Sequence, residues 1–247
     1  MSRHVLRKHQ VNPDPDRDQH FLDDDSVVKT MVGEAEISEE DVVLEIGAGV
    51  GTITKQLVEE AGRVLAYEND PELVRVLEEE LGGHENLEVR EEDFSSAEVP
   101  GFDRCVSNIP FHLSTDVVQF LGERKALSVL LVQREFAERL VAEPGEDVYS
   151  RVTAVTNFSF LPVYLEDVSR SSFYPETDVD ASIVKLFPRG EEFDVDQVFF
   201  RDVVDALFVH RKKKTRNAFY DSRHFFDLSK EEAKDLRDEL PHSEKRV

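Results

Sequence analysis

The sequence predicts an α/β protein whose main unit is an open, mostly parallel sheet with helices on both faces, followed by a small helical unit. Three observations predict it. Apolar strand-sized runs alternate with amphipathic helical stretches from Asp41 to Val132, glycines crowd the end of the first run at 47, 49 and 51, and helical periodicity takes over from about Glu191. A chain of 247 residues with 40% hydrophobic content can bury one full-sized core and leave a smaller appendage, so residues 1–188 are assigned to the sheet and 189–247 to the helices.

Each element follows from its local pattern. Asp41 to Ile46 is a continuous apolar run that reads as a strand buried on both faces. A helix is expected from Thr52 to about Ala61, a short strand from Arg63 to Tyr67, a helix from Pro71 to Leu81 and a strand near Leu87 to Val89. The alternation continues with a strand from Phe102 to Val106, a helix through Thr115 to Leu121 and a strand from Ala126 to Val132. The first organised segment after the amino-terminal tail is expected to be Asp41 to Ile46. In the last stretch Val198, Val203, Leu207 and Phe208 are expected to form one apolar helix face.

Composition excludes several classes. The first twenty residues are polar, charged and interrupted by Pro13 and Pro15, which is no signal peptide, and no apolar run is long enough to span a bilayer, so a cytoplasmic protein without a membrane partner is expected. The lone Cys105 rules out an internal disulfide framework and reads as a buried strand residue. Eight histidines are scattered without paired spacing, so no metal is expected. A formal net charge of -23 would repel a phosphate backbone at moderate salt. Acidic outer faces with Lys scarcer than Arg suggest work in concentrated salt, where screening acts over only about 3 Å at roughly 1 M and local basic clusters matter more than overall charge.

In an open parallel sheet, ligands sit at the carboxyl ends of the strands. Gly47, Gly49 and Gly51 let the chain turn tightly and approach a ligand, although GxGxG is not the dinucleotide fingerprint. Glu68 ends the next strand, where a carboxylate can accept both hydroxyls of a ribose, with Asn69 beside it. Asp93-Phe94 then offers an acceptor for an adenine amino group and a ring to cover the base. Individually these are an ordinary glycine turn, a surface Glu and a loop Asp; in register at three strand ends they describe a nucleoside cradle. The fourth strand ends in Ser107-Asn108-Ile109-Pro110-Phe111. A purine amino group is a poor nucleophile, and the Asn108 side-chain carbonyl and a backbone carbonyl can accept hydrogen bonds from it while Pro110 fixes the turn and Phe111 stacks on the base. The plainer alternative is a proline-containing loop with Asn108 as a cap.

These residues resemble the KsgA-type ribosomal RNA adenine dimethyltransferases, relatives of the erythromycin-resistance methylases, from Gln19 onward. Glu45-Ile46-Gly47-Ala48-Gly49-Val50-Gly51 matches their glycine motif and Asn108-Ile109-Pro110-Phe111 their N-[L/I]-P-[Y/F] loop. The resemblance implies a Rossmann-like class I sheet binding S-adenosylmethionine, with Glu68 on its ribose and Asp93 on its adenine. Gln19-His20-Phe21-Leu22-Asp23 is similar to an amino-terminal element that covers the methionine end. Tyr149-Ser150-Arg151 resembles a Y-[GS]-R segment, placing Arg151 near the RNA. Phe173-Tyr174-Pro175 begins an F-x-P motif, implying that Phe173 stacks opposite Phe111. The sequence departs from the family at Phe111 (usually Tyr), at Glu176 to Ala181 (usually a second proline and V-D-S) and at Asp18 (usually Gly).

The only dense basic cluster is expected at His210 to Asn217, with Arg211, Lys212, Lys213, Lys214 and Arg216. A charge run is often just a solvated face, but against this acidic background it reads as a phosphate clamp, and it resembles the family's R-[RK]-K-x-x-R-N segment. The implied activity is dimethylation of two adjacent adenines in the 3'-terminal hairpin of small-subunit ribosomal RNA, on the pre-small subunit, by a monomer. Two rivals are a methylase of another RNA or DNA adenine and an assembly factor that acts by binding.

Overall fold

The structure is a computed structural model, and it describes residues 2–14, 19–190, 195–241, 244, 245 and 247. Pro15, Asp18 and Glu191, on which sequence expectations fall, lie outside the described residues. In chain order the elements are α1 (Ser2–His9), β1 (Phe21–Leu22), α2 (Asp25–Glu34), β2 (Val42–Ile46), α3 (Thr54–Glu60), β3 (Arg63–Glu68), α4 (Pro71–Leu81), β4 (Leu87–Glu91), β5 (Arg104–Asn108), α5 (Ser114–Arg124), β6 (Leu127–Gln133) and α6 (Arg134–Val141). They continue with α7 (Arg151–Ser159), β7 (Phe160–Val168), β8 (Phe173–Tyr174), β9 (Ala181–Pro188), α8 (Gln197–Phe208), α9 (Thr215–Asp221) and α10 (Lys230–Glu239).

The main sheet has strand order β4-β3-β2-β5-β6-β9-β7, parallel from β4 through β6 and antiparallel at β9 and β7. Chain order reverses between β2 and β5, so the crevice where ligands bind opens at the carboxyl ends of these two strands. Strand β2 shows why the sheet is buried on both faces: Val43 packs into one core with α2 and α3, while Leu44 and Ile46 pack into the other with α5. Each such side chain, fully removed from water, stabilises the fold by roughly 1.5–3 kcal/mol. Helix α4 starts where predicted because Asp70 accepts the Glu72 N–H at 2.9 Å and Pro71 occupies the first turn, where no donor is needed. Cys105 is buried in β5, as expected.

Three expectations are corrected. The segment before Asp41 is organised: α1 buries Leu6 against Phe21, Val50, Leu73 and Val76, and Ser2 hydrogen-bonds the Leu22 carbonyl and the Thr52 hydroxyl. Short, charged and with one fully buried apolar side chain, this helix carries too little periodicity to be read. It also bears Arg3, Arg7 and Lys8, so the cluster at 210–217 is not the only concentration of cations. The two antiparallel strands β7 and β9 lie beyond the regular alternation. In α8 the buried residues are Val204 and Ala206, whereas Val198 is 52% exposed. The helix seats itself through Phe200, stacked on Phe158 of α7 at 4.2 Å, and through Gln197, which donates to Ser159 at 3.2 Å.

Candidate active site

A cleft of about 690 Å³ sits at the switch point and is lined by residues from the ends of β2, β3 and β5, by the loop after β4, and by 19–22 of the amino-terminal strap. Its size suits a nucleoside-containing ligand. At its floor the Gly47 and Ala48 N–H groups donate to the Tyr67 carbonyl at 2.9 and 3.0 Å, stitching the glycine turn to β3. Gly47 and Gly49 have φ of +73° and +57°, which favours glycine, and a Cβ at Gly49 would lie 3.1 Å from the Phe21 ring. These two glycines are thus required by backbone conformation and by close approach.

Two carboxylates stand behind this turn with different surroundings. Glu45 is buried and accepts the Thr54 hydroxyl at 2.6 Å; burial pushes its carboxyl up to about 8. Glu68 accepts the Gly49 N–H on one oxygen at 2.8 Å and the Asn69 and Asp70 N–H groups on the other at 2.9 and 3.0 Å. Burial raises its carboxyl too, opposed by those three donors. Gln19 of the strap donates to Asp70 at 2.8 Å, tying the strap to the same corner. Asp93 is exposed. Its Oδ1 accepts the Ser95 hydroxyl and N–H at 2.7 and 2.9 Å, which hold its carboxyl below the ordinary range and leave an ionised acceptor at the cleft.

The Asn108 loop is fixed on two sides. The Ile46 N–H donates to Ser107 Oγ at 2.8 Å, locking β5 to β2, and the Pro110 ring packs on the turn so that a Cβ at Gly47 would meet it at 3.2 Å. Asn108 donates weakly through Nδ2 to the His20 carbonyl at 3.5 Å, and its Oδ1 has no partner among the described residues. His20 in turn bonds the Pro175 carbonyl at 3.1 Å.

The cleft brings together Gln19, His20, Leu22, Glu45, Gly47, Ala48, Gly49, Glu68, Asn69, Asp93, Phe94, Asn108 and Pro110 from the sequence-derived set. It does not include Ile109, whose N–H extends the ladder to the Leu131 carbonyl at 3.1 Å while its side chain is buried. Nor does it include Gly51, where φ is +84° and a Cβ would also meet the ends of the Leu77 and Leu81 side chains at 2.7 and 2.8 Å, so this glycine serves the turn itself and helix packing. Phe111, half-buried, heads the short 3-10 turn Phe111–Leu113 beside the cleft. The expectation for Phe173 is corrected: it is 2% exposed, pairs with Leu22 across β1 and β8, and packs in the core, so the aromatic sandwich with Phe111 is not formed here. Sequence reasoning missed Thr52, Ile53, Tyr67, Leu73, Ser95, His112 and Leu113 as lining residues. His112 alone carried a signal, being a polar residue one step beyond the Asn108–Phe111 motif.

The carboxyl-terminal cations are only partly available. Arg211 donates to the Asp147 carbonyl at 2.6 Å, Lys213 pairs with Asp221 at 2.6 Å, and Lys214 and Arg216 both pair with Glu244. Lys212 has no ion-pair partner among the described residues. Arg151 pairs with Asp205 at 3.3 Å, joining α7 to α8 instead of standing free. Among the described residues no group of three or more His, Cys, Asp or Glu side chains could hold a metal ion, and no helix is long and apolar enough to cross a membrane.

A model of the family described as ribosomal RNA adenine dimethylase matches residues 12–238. The chain belongs to this family. It is 41% identical over 242 residues to a probable ribosomal RNA small subunit methyltransferase A from Methanopyrus kandleri, covering 96% of this chain and 87% of that protein. A protein of the same description from Methanosarcina barkeri is 39% identical, covering 92% and 79%. Among solved structures, a dimethyladenosine transferase from Plasmodium falciparum aligns with a TM-score of 0.75 at 31% identity, covering 81% of this chain and 75% of that one. The 23S rRNA methyltransferase ErmE aligns at 0.69 and 30%, covering 80% and 82%. The protein is therefore an S-adenosylmethionine-dependent ribosomal RNA methyltransferase with a class I sheet. The cleft fits that cofactor, because the glycine turn admits a ligand where a Cβ would intrude and the carboxylates of Glu68 and Asp93, acceptors for polar groups, line the same space.

Proposed function

We propose that this enzyme dimethylates two adjacent adenines in the 3'-terminal hairpin of small-subunit ribosomal RNA, using the cleft at the β2–β5 switch point. When bound, S-adenosylmethionine supplies a methyl group activated on a sulfonium. Glu68, held in place by three backbone donors, takes the ribose hydroxyls. Asp93 accepts from the cofactor's amino group, with Phe94 against the base. The observation that carries the reading is Asn108, held at the cleft with Oδ1 available to accept a hydrogen bond from the target amine. That hydrogen bond orients a weak nucleophile and leaves its lone pair facing the cofactor. No residue need act as general base, since the proton becomes acidic after transfer and leaves to water. Flipping the base out costs a few kcal/mol, and stacking on Phe111 returns roughly 1–3 kcal/mol.

Relatives at 41% and 39% identity named for the small subunit support that target over the large-subunit one of ErmE. The helical unit at 189–247 contributes phosphate contacts through Arg211, Lys212, Lys213, Lys214 and Arg216, with Arg151 at its border. Work as a monomer in the cytoplasm on the pre-small subunit, in concentrated salt, completes the reading. The test is to map adenine methylation in small-subunit RNA from a deletion strain by mass spectrometry. Loss of dimethyladenosine at two adjacent hairpin positions, restored by the wild-type gene, is expected; unchanged methylation there, or loss elsewhere, overturns the assignment.

A further inference from the structure

The turn after Pro110 is held rigidly. The Leu113 N–H donates to the Pro110 carbonyl at 2.9 Å, the Ser114 hydroxyl donates to the Phe111 carbonyl at 3.0 Å, and Leu113 packs on the core. This turn presents His112 at the mouth of the same cleft that Asp93, Phe94 and Ser95 line from the loop after β4. The two loops thus supply two walls. Phe94 is held edge-on against Tyr67, with ring centroids 5.9 Å apart and planes at 87°, and Asp93 has one oxygen turned to Ser95 and the other without a hydrogen bond among the described residues. A purine whose ribose sits at Glu68 and whose amino group reaches that second oxygen has Phe94 along one side and the Pro110–Leu113 turn along the other.

We propose that His112 is a cofactor-positioning residue, its imidazole forming the outer wall of the adenine pocket across from Asp93 and stacking on the purine. The proposal rests on the reading of Glu68 and Asp93 as the nucleoside cradle. The ring gives a flat, polarisable face at the rim of the cleft, where a purine would otherwise lie open to water. Asp93 is held low chiefly by Ser95, and the charge of His112 contributes in the same direction, consistent with the two side chains lying near each other. His112 is exposed, so truncating it leaves no core cavity.

The experiment is calorimetric titration of the full-length protein with S-adenosylhomocysteine and, separately, with adenosine. The proteins are wild type, His112→Ala, His112→Phe, His112→Asn and Asp93→Ala, with thermal melts of each. His112→Ala is expected to weaken both ligands about tenfold by the same factor, the scale of one lost base–aromatic stack. His112→Phe should restore most of the affinity and His112→Asn little of it. Unchanged affinity for both ligands in His112→Ala, while Asp93→Ala binds more weakly, overturns the role of His112 and leaves the cradle standing. Unchanged affinity in Asp93→Ala as well overturns the cradle itself. Weaker S-adenosylhomocysteine binding with unchanged adenosine binding moves His112 to the methionine end and also overturns the stacking proposal. A raised KM for small subunits with unaltered cofactor affinity assigns it to RNA instead.

Discussion

The cleft and the carboxyl-terminal basic segment handle charge in opposite ways. At the cleft, Glu45 and Glu68 are buried and their oxygens are engaged by Thr54 and by backbone N–H groups before any ligand arrives. In the basic segment the cations are exposed, and Lys213, Lys214 and Arg216 lean on the protein's own Asp221 and Glu244. The first arrangement is preorganised in a low dielectric, where each hydrogen bond counts strongly. The second is a screened surface whose contribution depends on salt. A chain of net charge -23 can therefore recognise RNA with a few local cations, provided that chemistry is secured elsewhere by fixed short-range contacts.

The largest expected effect lies in the cleft. Asn108→Ala removes the acceptor that orients the target amine, and methyl transfer should fall by roughly 100-fold or more with cofactor affinity little changed. Next comes Glu68→Ala. It removes the ribose acceptor and leaves the Gly49, Asn69 and Asp70 N–H groups without their partner, so cofactor affinity should drop roughly 10- to 140-fold and the melting temperature should also fall.

The buried carboxyls also give a pH signature. Glu45 titrates near 8 in the folded protein against an ordinary value of 4.5, so its folded form binds the extra proton between those values. Its contribution is fully present below about pH 4.5 and is lost as pH rises through 8, with a cost of order a few kcal/mol. Glu45→Gln should gain stability relative to wild type as pH is raised from 5 to 8.5 in denaturant melts. A constant difference across that range contradicts the assignment of burial as the cause. Other carboxyls such as Asp24 and Asp167 are held low and act in the opposite sense, which is why the comparison must be with the variant.

In the basic segment smaller effects are expected, and they should be ordered by pairing. Lys212→Ala, which removes an unpaired cation, should weaken RNA binding and reduce the slope of log affinity against log salt by about one. Lys214→Ala should do less, because Glu244 already offsets its charge. Glu244→Gln should strengthen binding modestly by releasing Lys214 and Arg216. Equal effects at Lys212 and Lys214 would show that the internal pairs do not survive RNA contact.

The same division explains what could be read from the sequence. The strands at 42–46, 63–68 and 104–108 and the residues that follow them were legible because a doubly buried strand needs an apolar centre and a tight turn needs glycine. Glu68, Asp93 and Asn108 followed from the rule that ligands sit at strand ends. Helix α1 was not legible, because it is stabilised by Leu6 packing against residues as far along the chain as Val76 and by Ser2 reaching Thr52 and Leu22, contacts between distant segments. Phe173 was misplaced for a related reason. An aromatic in a loop motif reads the same whether it faces a ligand or a core, and the pairing of β8 with β1 turns it inward. In α8 the apolar residues outnumber those that one face can bury, and the face chosen from periodicity, which included Val198, is not the one that packs.

Single-turnover transfer of labelled methyl groups to undermethylated small subunits at high salt, with wild type and Asn108→Ala each saturated with cofactor, tests the central claim most directly. The account predicts that cofactor binds both proteins alike while the variant's transfer rate collapses. Equal transfer rates in the two proteins would contradict it.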